Sequence, residues 1–268
     1  MDVERVGPYV PRMIVRLYFA GDRLLRAFTY RFQMVHIGIW LGLLTRGQLY
    51  AVGKQHYSFD RMYWTDEYNK QGLWDWERNV VTRDFAGCKR ILLAAAGGGR
   101  EVIALRQRGI EVEAFESDPG LVRFANDLLG REEMVPDIRS APWDGCPEFD
   151  RECDGIIVGW GAYPHIRGRA KRISFLQDLR RKVIKESPIL LSFCLRVESS
   201  NYFGGIARTG NVLTWMLRRE PIEVGDSLVP NYVHFFTMAE VESEMQEAGF
   251  ELVSFDKIQG PHAVGRAI

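Results

Sequence analysis

At 268 residues the chain is long enough for one large domain or a domain with an appendage, and its 46% apolar and 26% charged content is that of a soluble globular protein. Thirty-five basic residues balance thirty-five acidic ones, a neutrality that argues against nucleic acid as the main partner. The start MDVERVGPYV lacks the apolar core of a signal peptide, and the most apolar run, IGIWLGLL at 37–44, is far short of the roughly 20 residues that span a bilayer, so a cytoplasmic protein without a membrane partner is expected.

In chain order, residues 10–35 set Ile14, Val15, Leu17, Leu24, Leu25 and Phe28 among Arg12, Arg16, Arg23, Arg26 and Arg31. The pattern predicts helices interrupted near Gly21-Asp22, with a further helix over 33–52. A basic amphipathic segment of this kind can lie on a membrane surface or fold back as a lid. We expect the lid, a helical cap over 1–56, and place the main domain at 57–268. The stretch 57–78 then brings Tyr57, Phe59, Tyr63, Trp64, Tyr68, Trp74 and Trp76 together. Such a density suits either the wall of a binding site or a packed junction between cap and domain.

From residue 90 the rhythm is strand, helix, strand, helix. Strands are predicted at 90–94, 111–116, 154–159, 187–194, 250–255 and 262–267. Helices are predicted at 99–108, 119–129, 171–182, 210–218 and 237–248. This alternation implies a mainly parallel sheet covered by helices on both faces. Cys88, Cys146, Cys153 and Cys194 form no CxxC pair and read as reduced thiols, and the five histidines show no ligand spacing, so no metal is expected.

The run ILLAAAGGGRE at 91–101 holds six consecutive residues with almost no side chain, between an apolar strand and an amphipathic helix. In open α/β sheets the ligand sits at the carboxyl ends of the strands, and small residues there let it approach the backbone. About 20 residues on, the second strand ends at Glu116, a carboxylate placed to accept ribose hydroxyls, followed by Ser117-Asp118-Pro119. A dinucleotide-binding G-x-G-x-x-G counted from Gly97 and Gly99 would need glycine at position 102, which is Val.

These residues, with CDGIIVGWGAY at 153–163 and HFFTMAEVESEMQEAGFELV at 234–253, resemble the class I S-adenosylmethionine-dependent methyltransferases of the small-molecule type over about residues 60–268. The resemblance implies a Rossmann-like α/β fold, a seven-stranded sheet with helices on both faces, under the N-terminal cap. It implies S-adenosylmethionine as cofactor, with Ala95, Gly97 and Gly99 in the family's three glycine places, Ala96 between them, and Leu93 in the usual acidic place. Glu116 and Ser117 would serve the ribose and Asp137 the adenine edge. Gly159 and Trp160, at the end of the fourth strand, would border the methyl group.

Methyl transfer needs an aligned nucleophile and, where the acceptor must lose a proton, a base. His165 is the first candidate base and His234 the second, with Tyr163 and Trp160 expected to wall off the acceptor beside them. The loop predicted over 196–209 could close over the acceptor. No Asp/Asn-Pro-Pro-Tyr motif of nucleobase amine methylation is present, which favours a small-molecule oxygen or nitrogen acceptor. Two alternatives stay open: intramolecular cyclisation of the cofactor with release of methylthioadenosine, and a non-catalytic binding protein on the same fold. The acceptor's identity and the oligomeric state, monomer or homodimer, are not legible.

Overall fold

The computed structural model describes residues 12–59, 61–196 and 201–268. The N-terminal part is helical: α1 (Arg12–Leu43), α2 (Arg46–Phe59), α3 (Asp66–Lys70) and α4 (Asp75–Asp84). The α/β body follows as β1 (Arg90–Ala94), α5 (Arg100–Arg106), β2 (Glu111–Glu116), α6 (Pro119–Arg131), β3 (Arg139–Ser140), β4 (Gly155–Val158), α7 (Arg169–Arg180) and β5 (Pro188–Ser192). The chain continues through β6 (Cys194–Leu195), α8 (Asn201–Met216), β7 (Asp226–Leu228), β8 (Tyr232–Phe236), α9 (Met238–Glu247), β9 (Phe250–Asp256) and β10 (His262–Ala267).

Seven strands form one sheet in the order β3-β2-β1-β4-β5-β10-β9. The first five run parallel, and β10 enters antiparallel between β5 and β9. The order reverses beside β1, whose neighbours are β2 and β4, so the carboxyl ends of these three strands meet at one switch point. The strands can be apolar throughout because both faces are covered: Ile91, Leu92 and Leu93 of β1 and Ile156 of β4 are all fully buried. One core layer holds Leu92, Val158, Phe175, Leu176 and Phe250, and the other Leu93, Val102, Leu105, Leu128 and Ile157.

The segment predicted as helices broken near Gly21-Asp22 is a single helix of 32 residues. One exposed glycine costs a helix only about 1 kcal/mol, and the Asp22 carboxylate accepts from Arg26 Nε at 2.7 Å, one turn on. The break lies later than expected. At Thr45 the backbone N–H donates to Gln48 Oε1 (2.9 Å) and the hydroxyl accepts from the Gln48 N–H (3.3 Å), a reciprocal cap that starts α2. The last third of α1 packs on α8, where a Cβ on Gly210 would lie 2.6 Å from the Gly38 carbonyl oxygen and 2.2 Å from Ile222 Cδ1. Leu41, Leu49, Ile206, Ile222 and Tyr232 close that contact. None of residues 13–29 is buried, and Leu17, Leu24 and Phe28 are each about two-thirds exposed or more.

The loop predicted over 196–209 is helical from Asn201 onward, and its members 197–200 lie outside the described residues. A second sheet, β6-β8-β7, joins this helix to the main body. Among the described residues no helix is long and apolar enough to cross a membrane.

Candidate active site

The turn after β1 alternates in hand: Ala95, Gly97 and Gly99 have φ of 57°, 55° and 99°. At Gly97 a Cβ would meet nothing within 4 Å, so its open side faces the cleft and a side chain there would occupy the cleft, not clash with the protein. At Gly159, after β4, a Cβ would sit 2.2 Å from the Ala95 carbonyl oxygen. The absence of a side chain there lets the β1 and β4 turns touch.

These turns floor a cleft of about 920 Å³ including its mouth. Ala95, Gly97, Glu116 and Ser117 line one side, Val158 and Trp160 the other, and Tyr50, Lys54 and Tyr57 of α2 with Tyr63 form the wall above. Glu116, at the end of β2, is buried and fixed from below. Its Oε2 accepts from the Gly97 N–H at 2.9 Å, and its Oε1 accepts from the N–H groups of Ser117 (2.6 Å) and Asp118 (2.9 Å) and from the Ser117 hydroxyl (3.0 Å). Oε1 thus receives three donors and Oε2 a single one, so Oε2 is the oxygen placed to accept a further hydrogen bond. Asp118 accepts from the N–H groups of Gly120 (2.7 Å) and Leu121 (3.1 Å), capping α6 and holding the Glu116 turn in register.

His165 borders the same cleft. Its Nδ1 lies 2.6 Å from the Tyr232 carbonyl oxygen, which can only accept, so Nδ1 carries the proton. Nε2 is therefore the basic nitrogen, and it receives the Tyr57 hydroxyl at 2.8 Å. Burial, reinforced by His56, lowers the His165 pKa and keeps the ring neutral near pH 7. Burial raises the Tyr57 pKa, so the phenol holds its proton. The two form a donor–base pair on the cleft wall.

The other expected residues divide. Trp160 reaches the cleft and packs edge-on against Trp74 at 4.5 Å, itself covered by the Arg100 guanidinium. Ala96 and Gly99 shape the turn without lining the cleft. Tyr163 turns only its ring toward the cleft: its hydroxyl donates to Glu244 Oε2 at 2.6 Å inside a buried cluster where Arg172 also binds Glu244. His234 stands in β8, its Nδ1 2.7 Å from Asp226, and does not line the cleft. Asp137 lies two residues before β3, where Arg106 of α5 holds it at 2.5 Å, and the cleft edge expected of it is occupied by Pro142 and Trp143. Glu223, Asp226 and His234 lie close enough together for a cation, but Arg172 already pairs with Glu223 at 2.8 Å and Tyr232 with Asp226 at 2.8 Å, so the carboxylates are partnered, while His234 Nε2 is buried without a partner among the described residues.

The aromatic stretch serves both roles foreseen for it. Tyr57 and Tyr63 face the cleft. Trp64 instead packs on Phe124, and Trp76 stacks on His262 at 4.9 Å. Tyr50, Lys54 and Trp143 carried no motif in the sequence; α2 and the turn after β3 bring them together.

No protein-family model and no curated protein matches the chain. Solved structures do. A 1,6-didemethyltoxoflavin-N1-methyltransferase of Burkholderia thailandensis, bound to 1,6-didemethyltoxoflavin and S-adenosylhomocysteine, aligns over 84% of this chain and 91% of its own at 15% identity, with a TM-score of 0.58. A sugar N-methyltransferase from Streptoalloteichus aligns over 78% and 92% at 11% identity, TM-score 0.56. An amino pentose methyltransferase from Micromonospora echinaspora, with bound S-adenosylmethionine, aligns over 75% and 94% at 13% identity, TM-score 0.55. At these identities the likeness is one of fold: the seven-stranded sheet is the fold that these methyltransferases use.

Proposed function

We propose that this chain binds S-adenosylmethionine at the ends of β1, β2 and β4 and directs its methyl group to an oxygen or nitrogen of a small molecule. The observation that carries this reading is the convergence on one cleft of the Gly97 turn, the Glu116 carboxylate and a neutral His165 bonded to Tyr57. The solved methyltransferases of the same fold support it.

The residues present suit the cofactor. The remaining acceptor position of Glu116 Oε2 takes a ribose hydroxyl. The open side of Gly97 admits the ligand to the backbone. Tyr57, Tyr63 and Trp160 present aromatic rings to the cleft, which suits a cationic sulfonium. When bound, the cofactor supplies a methyl group whose departure leaves a neutral thioether. The protein then has to align the nucleophile and receive its proton. In our scheme the nucleophile's O–H or N–H passes its proton to the Tyr57 oxygen while the Tyr57 hydroxyl passes its own to His165 Nε2. The Tyr232 carbonyl holds the ring on its far side throughout. Tyr163, His234 and Asp137 have no part in this scheme. Four free cysteines fit a cytoplasmic setting, and the cap contributes through α2 as a fixed wall of the site.

The test is to incubate the full chain with methyl-labelled cofactor and a panel of phenols, amino sugars and nitrogen heterocycles. S-adenosylhomocysteine with label in an acceptor is the expected outcome. Methylthioadenosine as the product would establish cyclisation instead, and failure to bind the cofactor would remove the reading.

A further inference from the structure

A second cleft of about 990 Å³ lies beside the first and shares Tyr50, Trp143, His165 and Ile166 with it. Its outer wall is Arg46 and Arg167. The same two arginines line a shallower depression of about 760 Å³ together with Arg218, Arg219 and Glu220. The two clefts are therefore adjacent across the Tyr50, Trp143 and His165 side chains, and the second runs on past Arg46 and Arg167 to a group of guanidinium groups.

The charges at its far end do not balance. Arg46 is paired, with Nη2 2.9 Å from Glu220 and Nη1 3.5 Å from Asp144. Among the described residues the Arg219 side chain donates only to the carbonyls of Gly42 and Leu43 at the end of α1. Arg167 reaches, among the described residues, only the Leu44 carbonyl, at 3.5 Å, and its Nε is buried without a hydrogen-bond partner there. The exposed Arg218 side chain meets no carboxylate among the described residues. Three guanidinium groups thus face one opening without a carboxylate of their own among the described residues. A single ligand carboxylate would neutralise one of them. A phosphate ester or pyrophosphate carries two or three charges and offers the oxygen geometry that guanidinium forks match.

We propose that the acceptor is a phosphate-bearing small molecule, held by Arg167, Arg218 and Arg219 at its anionic end and presented to the Tyr57–His165 pair at its nucleophilic end. The word acceptor rests on the methyl-transfer reading; the anion site does not.

The experiment titrates inorganic pyrophosphate into the full chain at low salt by calorimetry, with S-adenosylmethionine titrated separately into the same protein. Arg218→Gln is the first variant, because its side chain holds nothing in the fold, and Arg167→Gln the second. The expected result is saturable one-site pyrophosphate binding by the unaltered protein, weakened about tenfold in each variant, with cofactor affinity and melting temperature unchanged in Arg218→Gln. Absence of saturable binding, equal affinity in Arg218→Gln, or a short single-stranded oligonucleotide displacing pyrophosphate as the tighter ligand would overturn the proposal. Pyrophosphate binding without cofactor binding would retain the anion site and remove the methyl-transfer reading; the converse would do the reverse.

Discussion

Glu116 is held by four donors from the protein and still borders the cleft. Replacing it with Ala removes the ligand's acceptor and frees the Gly97, Ser117 and Asp118 amides at once. Cofactor affinity should fall by about 1–3 kcal/mol in a calorimetric titration, and an unchanged affinity would remove Glu116 from the ribose. The Tyr57–His165 pair makes a pH prediction. His165 accepts a proton only while neutral, and burial lowers its pKa. The acid limb of kcat/KM should therefore lie below the ordinary histidine value of about 6.5, with activity full above it and lost as the ring protonates. A limb at or above that value, or one unmoved in His165→Asn, would contradict the assignment. The small residues of the β1 turn and the carboxylate ending β2 were legible because their spacing is dictated by one local unit, strand-turn-helix-strand. The partnership of Tyr57 with His165 was not, because 108 residues separate them and only the placement of α2 across the sheet edge joins them. Tyr163 and His234 illustrate the reverse case: Glu244 takes the Tyr163 hydroxyl and Asp226 the Nδ1 of His234, and His234 does not line the cleft.

At the scale of elements, the alternating pattern from residue 90 onward carried boundaries of its own, since Asp118 and Pro119 mark the start of α6 and Thr237 with Glu240 the start of α9. The segment 196–209 read as a loop because Gly204 and Gly205 weaken helix propensity. In the fold a Cβ on Gly204 would meet nothing within 4 Å and one on Gly205 would meet Met34, while Gly210 of the same helix lies against Gly38 and Gly42 of α1, so the two backbones approach closely there. Gly210 is the tightest of these contacts. Gly210→Val would place a branched side chain against the Gly38 carbonyl and Ile222, and overpacking of this kind costs about 1–3 kcal/mol. A melting temperature lowered by several degrees is expected; an unchanged one would mean that the α1–α8 contact does not stabilise the fold. The short strands β6, β7 and β8 escaped notice because two- to five-residue strands leave no periodicity to count.

For the molecule as a whole, the cap divides into two parts with different consequences. Residues 13–29 of α1 pack on nothing buried, whereas α2 supplies Tyr50, Lys54 and Tyr57 to the cleft. A chain beginning at residue 30 should therefore melt as the full chain does and bind cofactor equally well. Removal through residue 57 should abolish both, because Leu41 and Leu49 leave the cluster with Ile206 and Tyr232. Equal loss in the two truncations, followed by circular dichroism, would show that the outer half of α1 is structural. The central claim is that a ligand enters the cleft against the bare backbone after β1, and a calorimetric titration of S-adenosylmethionine into the Gly97→Val variant addresses it most directly. The substituted side chain would point into open space in the cleft and meet only the backbone cost of its φ of 55°, at least about 1–2 kcal/mol, so the account predicts a somewhat lowered melting temperature and a folded protein in which cofactor binding is lost. A folded Gly97→Val protein that binds the cofactor as the unaltered chain does would contradict it, and the small residues would then serve only the packing of β1 against its helix.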